Sequence, residues 1–197
     1  MKYKALAIAI FLSLFPLGEV YGNKQVKTAN DYLDEAELII EDAKYFPLYK
    51  NKNGEREKFT NLVNKSLELE ESARGFLFLG FVRHMVFDPD SYVDSVNYYE
   101  KALELKPNYM RALIALSSAH LNGDNYKECI NSTNQVLKID SHNKIAKRLR
   151  KECKSIFDQR NLHECMKDNE VKWQSEPKNK VVLDKVEKCM VELGQKS

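Results

Sequence analysis

Four cysteines, Cys129, Cys153, Cys165 and Cys189, carry most of the chemistry that residue type and spacing offer in this chain. A thiolate binds metal or attacks carbon when a second ligand or a base stands near it. None of the four lies in a CxxC pair or near a paired histidine, so zinc ligation and dithiol redox chemistry lack their usual spacing. His84, His120, His142 and His163 are scattered, and the chain has no Gly-rich phosphate loop, HExxH or GxSxG. His163-Glu164-Cys165 gathers three reactive types, but adjacent helix positions do not face one another. The acid pairs Asp34-Glu35, Glu41-Asp42 and Glu70-Glu71 read as solvated helix faces. The cysteines are therefore expected to form disulfides, and no catalytic residue, metal or cofactor is expected.

Disulfides need an oxidising compartment. Residues 1–22, MKYKALAIAIFLSLFPLGEVYG, fit a cleaved export signal: Lys2 and Lys4 precede an uncharged run from Ala5 to Leu17, and Val20 and Gly22 satisfy the small-residue cleavage rule. That run contains Pro16 and falls short of the ~20 residues that span a bilayer. No cysteine follows it, so lipid attachment is not expected. The reading is an exported, periplasmic or secreted chain beginning at Asn23, with no stable membrane insertion after cleavage.

Composition limits what the elements can be. The chain has 197 residues, 43% of them apolar and 30% charged, which excludes disorder and leaves room for one domain or two small ones. Only 7 Gly and 5 Pro disfavour a turn-rich β-sandwich and favour helices. Lys+Arg 31 against Asp+Glu 29 gives +2, too balanced for nucleic acid as the main partner. Two sequons occur, Asn64-Lys65-Ser66 and Asn131-Ser132-Thr133, and they matter only in a host that glycosylates.

Helical patterns recur along the chain. Residues 95–109, SVNYYEKALELKPNY, align without a gap on 129–143, CINSTNQVLKIDSHN, at an offset of 34. Ser95 falls on Cys129, Ala102 on Val136, Leu103 on Leu137 and Leu105 on Ile139, so small residues meet small and aliphatic meet aliphatic. Residues 65–70, KSLELE, give a weaker third copy. A second helical pattern precedes each of the two clear copies, with Phe76, Leu79, Gly80 and Arg83 in one and Leu113, Leu116, Ser117 and His120 in the other. The unit is helix, short turn, helix. Pro89 suits a helix start, and Pro107 prevents continuation.

This pattern resembles the tetratricopeptide repeat family, through Leu79-Gly80, Ser95, Tyr99, Ala102 and Pro107 in one unit and Leu116, Ser117, Tyr126, Cys129, Val136 and Leu137 in the next. The departures are an insertion of about three residues near Val86–Asp88, Thr133 where an aromatic is usual, and Ser141 where proline is usual. The resemblance implies an all-α fold, a short right-handed superhelix of antiparallel hairpins, with a C-terminal helical hairpin as cap. Residues 23–72 would form a degenerate first unit, 73–142 two full units, and 143–197 the capping helices. Apolar spacing supports the ends: Leu33, Ala36, Ile40 and Ala43 over 30–46, Phe59, Leu62, Val63, Ser66 and Leu67 over 55–71, Leu162, Cys165, Met166 and Trp173 over 161–173, and Val182, Val186, Cys189, Met190 and Leu193 over 181–193.

Antiparallel helices give a ruler for the cysteines. Cys129 and Cys153 are equally far from Ser141, inside one expected turn, and Cys165 and Cys189 from Pro177, inside another. Each pair would sit level, which favours Cys129–Cys153 and Cys165–Cys189. The rival, Cys153–Cys165 with Cys129–Cys189, needs a turn near Gln159.

In the family, the first helices of the units line a concave channel for a peptide. Carried over by position, that lining is Arg74, Leu77, Phe81, His84 and Met85, then Arg111, Ile114, Ser118, Leu121 and Asn122. Members that grip a C-terminal carboxylate have Lys and Asn where this chain has Leu77 and Phe81, so that clamp is not expected. An apolar channel suits an amphipathic helix of a partner, anchored by Phe81 and Met85, or a flanking segment of this chain such as 23–46. The expected function is a non-enzymatic scaffold binding a protein or peptide. The alternative is a secreted effector or an inhibitory or structural protein acting through its outer basic surface, where the run Lys144, Lys147, Arg148, Arg150 and Lys151 reads either as a site for an anionic phospholipid or polysaccharide or as a soluble face. A small cell-wall hydrolase is the remote third reading.

Overall fold

The computed structural model describes residues 26–42, 54–85, 89–168 and 180–192. Within them the chain forms eight helices and no strand: α1 (Ala29–Asp42), α2 (Glu55–Leu69), α3 (Ala73–His84), α4 (Pro89–Leu105), α5 (Met110–Asn122), α6 (Tyr126–Ile139), α7 (Lys144–Asp168) and α8 (Lys180–Glu192). The chain is all-α, as its few glycines and prolines imply. Among the described residues no helix is long and apolar enough to cross a membrane. The N-terminal apolar run, Ala43, Trp173, Leu193 and the turn expected around Pro177 lie outside the described residues.

Local signals start and stop these helices. At α1, Thr28 and Asp31 cap each other: the Asp31 carboxylate accepts from the Thr28 N–H (2.7 Å), and the Thr28 hydroxyl accepts from the Asp31 N–H (3.3 Å). Ser72 accepts from the Gly75 N–H at α3 (3.1 Å), and Asn143 accepts from the Ala146 N–H at α7 (3.0 Å). Pro89 opens α4 and Lys106-Pro107 follows its end. Between α5 and α6 the turn relies on Asp124, with φ 60°.

Among the described residues, each helix packs against the next one in the chain, and α3 also touches α5, as α5 touches α7. The larger core runs from Leu33 and Ala36 of α1 through Phe59 and Val63 of α2, Leu77 and Phe78 of α3, and Tyr99 and Ala102 of α4, to Ala112 and Ala119 of α5. A smaller core joins Leu113, Val136 and Ala146. Residues 34 apart share their burial: Ser95 and Cys129, Tyr99 and Thr133, and Ala102 and Val136 are all fully buried. Leu105 and Ile139 are both exposed.

Both favoured disulfides form. Cys129 is joined to Cys153 with Cα atoms 6.2 Å apart, and Cys165 to Cys189 with Cα atoms 5.8 Å apart. The rival pairing fails because α7 is continuous from Lys144 to Asp168, with no turn near Gln159. No glycine or proline interrupts 144–168, so one helix carries Cys153 and Cys165 together.

Candidate functional site

Helices α3 and α5 touch, and each hides two faces and leaves a stripe. On α3, Gly75, Leu77, Phe78, Gly80 and Val82 are buried, while Phe81, His84 and the C-cap Met85 are half-buried. On α5, Ala112, Leu113, Ala115, Leu116, Ser117 and Ala119 are buried, while Ile114, Ser118 and Leu121 are half-buried and Asn122 is exposed. Gly80 lets α3 lie close against α4, because a Cβ there would clash with the Tyr99 ring.

Leu77 does not line a channel. It is fully buried in the larger core, which the N-terminal helices close with Leu33 and Phe59. Phe81 is also less free than an anchor must be. Its ring meets the Tyr99 ring edge-on at 6.0 Å and stacks near Phe78 at 6.4 Å, so it belongs partly to the core.

The arginine end carries its own counter-ions. Arg74 donates to Asp34 and Glu37 of α1, each at 2.5 Å, and lies over the Phe78 ring. Arg111 donates to the same Glu37 at 3.1 Å. Partial burial pushes the Glu37 carboxyl up, but the bonds from Arg111 and Arg74 outweigh it and hold the group below its ordinary value. One carboxylate thus spans α1, α3 and α5, and neither arginine is left unneutralised. The pairs are partly exposed, so their weight lies in orienting the helices more than in net stability. Composition and periodicity passed over Glu37, yet a signal existed: Glu37, Arg74 and Arg111 follow one another at a constant offset of 37.

At the other end of the stripe, the Asn122 amide donates to Nε2 of His84 (2.7 Å). Nδ1 then carries the proton and faces the Tyr99 hydroxyl (3.4 Å). Burial lowers the His84 pKa and raises that of Tyr99, so both are neutral near neutrality. Burial lowers His120 as well, against a smaller opposing pull from Glu128, and its Nδ1 faces the Tyr92 hydroxyl (3.4 Å). These histidines are partners in neutral side-chain networks.

The remaining reactive residues do not converge. Among the described residues no three His, Cys, Asp or Glu side chains come together to hold a metal. Cys165 beside His163 and Glu164 is in a disulfide and offers no thiolate. His163 and Glu164 line a shallow cleft of about 420 Å³ along α7, together with Arg160 and Lys167. No protein-family model matches this chain, and no characterised protein matches it significantly.

Proposed function

We propose that this chain is an exported, non-enzymatic scaffold of the tetratricopeptide-like kind, with hairpins stacked in a short right-handed superhelix and a concave channel that holds an amphipathic helix or peptide of a partner protein. The observation that carries this reading is the stripe on α3 and α5. Met85, Ile114 and Leu121 stay half-buried at channel positions of two touching helices, on α5 against apolar residues that are mostly buried and on α3 beside Phe76, Leu79 and Phe81, which are half-buried too. An apolar stripe on a well-packed support is what a helix-in-groove partner needs, since a few large apolar contacts carry most of the binding energy. Shared burial at an offset of 34 supports the stacking of like units. The two disulfides, with no free cysteine among the described residues, fit an oxidising compartment.

The channel so defined is shorter than the family positions imply. Leu77 is withdrawn from it, α1 engages Arg74 and Arg111, and the working surface runs from Phe81 to Asn122. Met85 and Leu121 replace Phe81 as the test positions, because a charge at Phe81 would disturb Tyr99.

A photo-crosslinking residue placed at Met85 or at Leu121, in the protein's own host, should capture the same partner. The same residue at exposed Leu105 should not capture it. The double variant Met85→Asp with Leu121→Asp should lose that partner and keep its melting temperature. Capture from Leu105 alone, or from no position, removes the channel. Loss of the partner with Lys147→Glu and Arg148→Glu, but not with the channel variant, transfers function to the outer basic surface.

A further inference from the structure

Positions on α7 follow α5 at the same offset of 34, and their burial separates two faces. Ala112, Ala115 and Ala119 of α5 are buried, and so are Ala146, Leu149 and Cys153 of α7. The other buried residues of α5, Leu113, Leu116 and Ser117, correspond to Lys147, Arg150 and Lys151, which are exposed. The face that α5 covers is therefore open and cationic on α7.

A polar end stops further helices from stacking, and that explains why this face is charged. It does not explain a single sign. Residues 144–157 contain six Lys or Arg and one acid, Glu152, in a chain whose whole balance is +2. Lys144, Lys147, Arg148 and Lys151 fall at i, i+3, i+4 and i+7 on one exposed face. None of these four makes an ion pair among the described residues, whereas neighbouring Lys154 binds Asp158 (3.2 Å) and Arg150 reaches Asn134 (3.4 Å). On the flank of this row, one turn from Arg148, Ile145 is 48% exposed.

We infer that this face of α7 is a docking surface for an anionic phospholipid membrane. Four cations on one straight helix face reach a planar surface together, and their aliphatic stems let the charged ends stay in the headgroup layer. Ile145 favours lipid among anionic partners by its place beside the cationic row. An exposed aliphatic side chain gains nothing from a hydrated polysaccharide, but it gains from the boundary between headgroups and acyl chains. Such docking is peripheral and requires no membrane-spanning helix. None of its residues lies on α3 or α5, although Ile145 and Arg148 stand 34 residues beyond Arg111 and Ile114 of the channel row.

The test is vesicle co-sedimentation of the full chain, exported so that both disulfides form. The vesicles are phosphatidylcholine alone, or with about a third phosphatidylglycerol, in about 0.05 M and about 0.5 M NaCl. Vesicles with phosphatidylglycerol should bind at least about tenfold more protein at low salt and lose that excess at high salt. Lys147→Glu with Lys151→Glu should abolish the excess. The control Lys58→Glu with Lys65→Glu, on exposed positions of α2, should keep most of it. Ile145→Ser should weaken vesicle binding without changing retention on immobilised heparin. Unchanged melting temperatures show that the variants fold. No preference for phosphatidylglycerol, or equal loss from both charge-reversed pairs, overturns the inference. Heparin retention without vesicle binding, or vesicle binding indifferent to Ile145→Ser, overturns the choice of lipid.

Discussion

At the scale of single residues, the molecule depends on places where a side chain is missing. Gly80 lets α3 lie against Tyr99 of α4, and Gly123 leaves room for the Tyr92 ring. Tyr99 has no space to retreat: it is fully buried, faces His84, and touches the Phe81 ring. Adding one methyl at Gly80 sets two effects against each other. Alanine favours a helix interior by up to about 1 kcal/mol over glycine, while overpacking a filled core costs about 1–3 kcal/mol. The clash with an immobile ring wins, and Gly80→Ala should lower the melting temperature by a few degrees in thermal denaturation, at about 2–4 °C per kcal/mol for a chain of this size. An unchanged or higher melting temperature would mean that Tyr99 moves aside at little cost.

At the scale of elements, the Cys129–Cys153 bridge occupies the place that Ser95 and Ala119 hold one unit earlier, since both residues shift by 34. Ser95 and Ala119 are fully buried small residues where α4 meets α5, as the cysteines are where α6 meets α7. If the two junctions share a geometry, Ser95→Cys with Ala119→Cys should close a third disulfide. Alkylation of the denatured, unreduced variant should then add no mass, whereas two added alkyl groups would show that the junctions differ. The helices, their buried stripes and the cysteine pairing were legible in the sequence, because each follows from spacing along the chain. Apolar residues recur at helical intervals, and paired cysteines lie level about a turn. Leu77 does not read as a core residue from its own helix, because it is buried in a core shared with α1 and α2, which periodicity within α3 cannot register. Glu37 was passed over because it lies 37 and 74 residues from its two arginines.

At the scale of the whole molecule, titration should reveal how the buried network holds. His84 and His120 are held below their ordinary value of 6.5 by burial, so the unfolded chain takes up their protons first. Their contribution to stability is complete above that value and is lost as pH falls through the lowered folded pKa values. Glu37 is held below its ordinary value of 4.5, so its contribution persists to lower pH and is lost only below that point. Melting temperature should be flat from about pH 7 to about pH 9, below the ordinary tyrosine range, and fall in two acid stages beneath it. His84→Gln should shrink the first stage and leave the second in place; an equally large first stage in that variant would exclude His84 as its source. The two disulfides have a mechanical consequence as well. Each closes a span of 24 residues, and both are anchored on α7. Drawn by its ends, the polypeptide can pay out slack only outside those two closed spans. An unfolding motor pulling from the carboxyl end would meet Cys189 first and would have to haul a doubled strand through its pore, so resistance to such machines should vanish once a reductant opens the loops.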